Sequence, residues 1–231
     1  VPGTTVDRQC GSGQQAIHFA AQGVLSGTQD LVIAGGVESM SQVPIGASII
    51  DGVKADHGMP YGQKITERYP GVRFNQFAGA EMLVEKYELT SQELNEFALA
   101  SHMKAKQAIE EGRFEKEIVP IEVVLEDGSL AMHTQDEGVR PDATIGAISG
   151  LQPMAEGGVL TAANASQICD GAAAVMLANG ETCKRLGLKP LARIIAMSVV
   201  GSDPVIMLEG PIPATKKVLQ KAGLSIDDID L

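Results

Sequence analysis

The feature that most constrains this chain is a cysteine set in a glycine-rich break between two kinds of periodicity. Thr4, Thr5 and Val6 read as the end of a strand, and Cys10-Gly11-Ser12-Gly13 follows at once. A helix then carries Ala16, Ile17, Ala20, Ala21, Val24 and Leu25 at helical spacing, with Gly27 as its stop. The run Leu31-Val32-Ile33-Ala34, closed by Gly35-Gly36, reads as a strand buried on both faces. Strand, turn, helix and strand in this order are the pattern of an α/β protein. With aromatics at 3% and no Trp, a core has to be built from Ala, Val, Ile, Leu and Met, which fits the same class.

The position of Cys10 carries chemistry. The thiolate, not the thiol, is the nucleophile. A helix N-terminus offers unpaired N–H groups and the positive end of the macrodipole, and both favour an anion there. Gly11 and Gly13 allow the backbone to approach a substrate closely. A cysteine in this strand–turn–helix setting follows the nucleophile-elbow logic of hydrolases, with sulfur in place of oxygen. A small apolar side chain in a tight turn is the other reading of the same residues, and the local context leaves both open.

Beyond Ser41 the periodicity breaks down as far as about Gly79, punctuated by Pro44, Gly46, Gly52, Gly58, Pro60, Gly62, Pro70 and Gly71, with residues 65–69 as a helical candidate. A loop of this length points to a lid or binding segment. Thr90 with Glu93 forms a capping box, and a stripe from Leu94 to Ile109 runs on to Gly112. Residues 118–125 read as a strand that turns through Glu126-Asp127-Gly128 into Leu130-Ala131-Met132. Residues 171–178 read as a buried strand, 181–186 as a short helix and 191–200 as a further strand. Pro213 opens a helix stopped by Gly223, and a new strand is expected to begin near Leu231.

The net charge of −11 argues against nucleic acid, whose phosphates need clustered Lys and Arg, but leaves room for a small anionic ligand held by local donors. Three cysteines at Cys10, Cys169 and Cys183 match no zinc or CxxC spacing, no His pair has metal-ligand spacing, and a reducing, cytoplasmic setting is the simple expectation. No stretch is apolar and long enough to span a bilayer, and no membrane partner is expected. The chain opens Val1-Pro2-Gly3 without Met, so the start is expected not to be the native one, and any targeting segment would be missing. His18 stands two helical turns beyond Cys10 and cannot act as its base from the same helix.

Several collinear runs now resemble one family. Thr5-Val6-Asp7-Arg8-Gln9-Cys10-Gly11-Ser12-Gly13 is similar to the active-site segment of thiolases, and Ala34-Gly35-Gly36-Val37-Glu38-Ser39-Met40-Ser41 to their next signature. Ser101-His102, Gly112-Arg113-Phe114, Glu117-Ile118-Val119-Pro120 and Asp136-Glu137 with Arg140 follow in order. Thr161-Ala162-Ala163-Asn164-Ala165-Ser166 and Asp170-Gly171-Ala172-Ala173 resemble the stretch that lines the pantetheine arm of coenzyme A. Asp203-Pro204 and Gly210-Pro211-Ile212-Pro213-Ala214 complete the series.

The resemblance implies a thiolase-like layered αβαβα fold, incomplete, with an inserted loop domain. Residues 1–40 would belong to the N-terminal half, 41–160 to the loop domain, 161–190 to the end of the N-terminal half including the pantetheine loop, and 191–231 to the C-terminal half. It implies an acyl-CoA acyltransferase that reversibly condenses or thiolytically cleaves 3-ketoacyl-CoA. Cys10 would be the acylated nucleophile, and Ser166, Ala165, Asn75 and Gln76 would bind substrate or CoA. Coenzyme A esters would be substrates, with no permanently bound cofactor and no metal, in a homodimer or homotetramer. Acetyl-CoA C-acetyltransferase is the leading expectation. A 3-ketoacyl-CoA thiolase of fatty-acid or sterol degradation and a non-catalytic thiolase-like module are the alternatives. Asn75-Gln76-Phe77 departs from the His-Met pair of many acetoacetyl-CoA thiolases, which bears on acyl-chain preference. The family's Asn-Glu-Ala-Phe, Gly-His-Pro and Cys-x-Gly-Gly-Gly segments do not occur in the chain, so it is expected to be a partial sequence that does not turn over by itself.

Overall fold

A computed structural model describes residues 1–230. In chain order they form α1 (Ser12–Leu25), β1 (Leu31–Ser39), α2 (Ala47–Lys54), α3 (Gln63–Arg68), α4 (Gln76–Lys86) and α5 (Ser91–Glu110). The hairpin strands β2 (Ile121–Val124) and β3 (Leu130–His133) follow, then α6 (Ile145–Ser149), β4 (Asp170–Ala178), α7 (Gly180–Leu186) and α8 (Pro211–Ala222), with a single 3₁₀ turn at Ile226–Asp228. The chain divides into two compact units. Among the described residues one comprises 1–72, 168–203 and 209–230, the other 73–167 and 204–208.

In the first unit β1 and β4 pair antiparallel, from Leu31 opposite Ala178 to Ser39 opposite Asp170. The α1 helix packs on this pair, and His18, Ala20, Ala21 and Ala34 are buried there. Side chains alternate across a strand, so Val32 and Ala34 turn to the covered face while Ile33 (67% exposed) and Val37 (79% exposed) stand on the other. The expectation of a strand buried on both faces is therefore corrected, because a helix layer covers one face only. β4 is likewise mostly exposed, where a buried strand was expected. α1 ends at Gly27 (φ 74°) and α8 at Gly223 (φ 70°), both in the left-handed region that glycine enters without strain.

The second unit is organised around α5, which packs against α6. The Thr90 hydroxyl accepts the Glu93 N–H at 3.2 Å, and the Glu93 carboxylate accepts the Thr90 N–H at 2.8 Å and its hydroxyl at 2.7 Å. This reciprocal cap satisfies donors that a helix start leaves open, and it holds the Glu93 carboxyl below its usual range. Ala98, Ile148 and Leu160 form the buried apolar positions of this unit. The β2–β3 hairpin closes through Asp127 and Gly128, with the Asp127 carboxylate accepting the Ser129 N–H at 2.9 Å.

Residues 4–6 and 191–200 form no strand, contrary to the sequence expectation. A strand exists only when a neighbour supplies its ladder, and among the described residues none pairs with either segment. The strand expected near Leu231 falls outside the described residues.

Candidate active site

Cys10 occupies a strained position. Its φ is 59°, in the left-handed region that a side-chain-bearing residue seldom adopts, and it is exposed at the head of α1. The turn that imposes this is closed twice. The Gly11 N–H donates to the Arg8 carbonyl at 2.7 Å, and the Arg8 N–H donates to the Ser12 hydroxyl at 2.9 Å. Arg8 also reaches forward, its guanidinium donating to Gln15 Oε1 at 3.0 Å. A Cβ on Gly11 would stand 3.2 Å from the Arg8 carbonyl oxygen, tighter than ordinary contact, so glycine is what lets the turn close.

The helix begins directly after this turn. Its first backbone bond runs from the Gln15 N–H to the Gly11 carbonyl at 2.9 Å, and no side chain caps the N-terminus. The exposed sulfur thus stands on a tight turn next to helix N–H groups that no side chain caps. Gln9, one residue earlier, lines a shallow hollow of about 500 Å³ together with Ile49, His57, Met59, Pro60 and Tyr61. Cys169 and Cys183 are free thiols as well, but neither stands on such a turn.

The second unit holds the other residues expected to meet substrate. Ala165 is half-buried and Ser166 exposed, at the end of an irregular stretch held by side chains from α4 and α5. Glu81 on α4 accepts the Val159 N–H at 3.0 and 3.3 Å through its two oxygens, and the Leu160 N–H at 3.0 Å. Asn164 Oδ1 accepts the Thr161 N–H at 2.8 Å, and Asn164 Nδ2 donates to Oδ1 of the buried Asn95 at 3.4 Å. Asn75, expected to touch substrate, is the N-cap of α4, where its Oδ1 accepts the N–H groups of Phe77 and Ala78 at 2.8 and 3.2 Å. Gln76 is the first residue of that helix and is exposed. The roles of Glu81 and Asn95 carried no mark in the sequence. Each is a polar residue on an amphipathic helix, and only the fold shows which loop it faces.

Two of the quoted runs meet through Asp170. Its carboxylate accepts the Ser41 N–H at 2.9 Å, the Ser41 hydroxyl at 2.5 Å and the Ser39 hydroxyl at 3.3 Å. These bonds, those from Ser41 foremost, lower the Asp170 pKa below the ordinary aspartate value. The Ser39-Met40-Ser41 segment and the Asp170-Gly171 segment thus close one end of the β1–β4 pair. Among the described residues no group of His, Cys, Asp and Glu could hold a metal ion, and no helix is long and apolar enough to cross a membrane.

An α/β scaffold thus holds an exposed cysteine on a strained turn at a helix head. The chain belongs to the thiolase family: residues 1–181 match the thiolase N-terminal domain and residues 188–231 the thiolase C-terminal domain. It is similar to a steroid 3-ketoacyl-CoA thiolase of Mycobacterium tuberculosis, 48% identical over all of this chain and 56% of that protein. A 3-ketoacyl-CoA thiolase of Idiomarina loihiensis is 40% identical over the whole chain and 58% of its own length. Among solved structures, human mitochondrial 3-ketoacyl-CoA thiolase superposes with a TM-score of 0.84 at 33% identity, covering 100% of this chain and 59% of that one. An acetyl-CoA acetyltransferase of Bacillus anthracis gives 0.80 at 39% identity, covering 99% and 59%. These likenesses bear out the thiolase-like α/β fold expected from the quoted motifs. The chain spans somewhat over half the length of the curated relatives it matches.

Proposed function

We propose that the protein to which this chain belongs is an acyl-CoA acyltransferase that cleaves 3-ketoacyl-CoA by thiolysis and runs the reverse condensation. The observation that carries the proposal is the left-handed, exposed Cys10 at the uncapped head of α1. In thiolysis the Cys10 sulfur attacks the 3-keto carbonyl and the bond between C2 and C3 breaks. The departing acetyl-CoA enolate takes a proton, and the shortened acyl group stays on sulfur as a thioester. The thiol of free coenzyme A then takes the acyl group and Cys10 regains its proton. Carrying the acyl group on sulfur splits one difficult step into two easier ones.

Ser166 and Ala165 contact the CoA portion in this reading, and Asn75 and Gln76 the acyl side. Coenzyme A esters are substrates, not resident cofactors. The names of the similar proteins favour 3-ketoacyl substrates, and Asn75-Gln76-Phe77 in place of a His-Met pair favours an acyl group larger than acetoacetyl. Acetyl-CoA C-acetyltransferase is the second reading, favoured by the likeness to the Bacillus anthracis structure. Residues 1–40 and 161–190 are assigned to the N-terminal half, 41–160 to the loop domain and 191–231 to the C-terminal half. A cytoplasmic homodimer or homotetramer completes the proposal, and cell fractionation and light scattering test those two points.

The experiment is acyl labelling of the full-length gene product with radiolabelled acetyl-CoA, followed by peptide mapping. Label on the Cys10 peptide, lost in Cys10→Ala, is expected. Label persisting at another residue in Cys10→Ala overturns the assignment. A panel of short, long and steroid side-chain 3-ketoacyl-CoA substrates separates the two readings, since an acetyltransferase prefers the shortest.

A further inference from the structure

We propose that Glu81 and Asn95 are positioning residues that set the shape of the CoA-contacting segment, so that CoA affinity depends on two side chains that do not touch the ligand. The inference rests on the reading that residues 161–166 meet CoA and adds to it how that segment is held.

Residues 159–166 lie in no helix or strand, so their backbone donors find partners outside a regular ladder. At one end, Val159 and Leu160 give their successive N–H groups to the single carboxylate of Glu81. Bonds to an ionised acceptor are stronger than neutral ones, and two adjacent amides converging on one group fix the direction in which the chain leaves. The surroundings are fitted to this: a Cβ on Gly158 would run into Glu81 Oε1, and the Leu160 carbonyl accepts the Met154 N–H at 2.8 Å.

At the other end, the turn from Thr161 to Asn164 is closed by two bonds. The Asn164 N–H donates to the Thr161 carbonyl at 3.2 Å, and the Thr161 N–H donates to Asn164 Oδ1 at 2.8 Å. The remaining end of the Asn164 carboxamide reaches Asn95, which is 3% exposed and within 3.5 Å of Ser149 Oγ on α6 through its own Nδ2. The segment is therefore pinned from α4 at one end and from α5 at the other. Ala165 and Ser166 follow the second pin directly, so their direction is inherited from it. A polar side chain as buried as Asn95 costs stability unless its hydrogen bonds are made, and Asn164 and Ser149 are partners within reach.

The test uses the full-length gene product and two probes: coenzyme A, by isothermal titration calorimetry, and iodoacetamide, whose reaction at Cys10 is followed by peptide mass spectrometry and needs no pantetheine contact. Glu81→Gln, isosteric and uncharged, and Asn95→Ala are each expected to weaken CoA binding roughly tenfold, the loss of one charge-assisted or buried bond. The iodoacetamide rate at Cys10 is expected to stay at the wild-type value. Should Asn95→Ala fail to fold, Asn95→Ser carries the same expectation. CoA binding at wild-type strength in folded Glu81→Gln and Asn95→Ala overturns the inference alone. So does a weakening mirrored by an equal change in the Cys10 rate, since that is general loosening. Absence of CoA binding by the wild-type protein overturns the functional reading first and this inference with it.

Discussion

Ser41 and Asp170 stand 129 positions apart in the chain, yet the Ser41 N–H and hydroxyl both donate to the Asp170 carboxylate, at 2.9 and 2.5 Å. The contact closes one end of the β1–β4 pair, where Ser39 faces Asp170 in register. A carboxylate that accepts several bonds in the folded state is a proton acceptor weakened by folding, and this gives the contact a pH signature.

Because the folded pKa of Asp170 is depressed, its contribution to stability is fully present above the ordinary aspartate value of 3.8 and is lost as pH falls through the lower folded value. Asp170→Asn should lower the urea midpoint at pH 7. The gap between wild type and variant should narrow progressively below pH 3.8. Urea titrations at several pH values check this, and a gap that does not change with pH would show that the charge of Asp170 is irrelevant.

Cys10 predicts an inversion of the usual order of small residues. In most positions alanine stabilises relative to glycine, but at φ 59° the Cβ is the source of strain. Cys10→Gly is expected to be more stable than Cys10→Ala by about 1 kcal/mol. Both should lose covalent acyl labelling. Thermal denaturation ranks the pair, and Cys10→Ala proving the more stable would mean that the turn is relaxed in solution.

Gly79 makes the opposite case within a helix. Gly to Ala inside a helix ordinarily gains about 1 kcal/mol. Here the added methyl would overlap the backbone carbonyl of Ile206, and a backbone atom cannot swing aside. Gly79→Ala is therefore expected to destabilise by about 1–3 kcal/mol. A denaturation midpoint at or above wild type would show that residues 204–208 do not sit on α4.

What could be read from the chain beforehand follows from where the determinants lie. The α1 stripe, the Thr90–Glu93 cap, the Asp127-Gly128 turn and the Gly27 and Gly223 stops are local, and each produced its element. α2 and α4 were hidden because glycine marks both: Gly46 is a left-handed N-cap, and Gly79 sits inside α4 for reasons of contact. The expected strands at 4–6 and 191–200 depend on neighbours, which no local pattern supplies. Cys10 was recognisable by its setting between strand-like residues and a helix, but its left-handed backbone was not. The pins from Glu81 and Asn95 join residues far apart in sequence and leave no periodic trace.

Asn75 allows structural and substrate roles to be separated in one position. Its Oδ1 is committed to the N–H groups of Phe77 and Ala78, so only its Nδ2 end can donate to a substrate. Asn75→Ala removes the cap and should cost about 1 kcal/mol of stability. Asn75→Asp keeps a capping oxygen and places a negative charge at the helix N-terminus, so its stability should match or exceed wild type. The same variant has lost the amide donor. If Asn75 meets the acyl group, kcat/KM for 3-ketoacyl-CoA should drop about tenfold in Asn75→Asp with the fold intact. Thermal melts and steady-state kinetics on both variants decide it. Wild-type kcat/KM in a stable Asn75→Asp protein would leave Asn75 as the cap of α4 and move acyl recognition to other side chains.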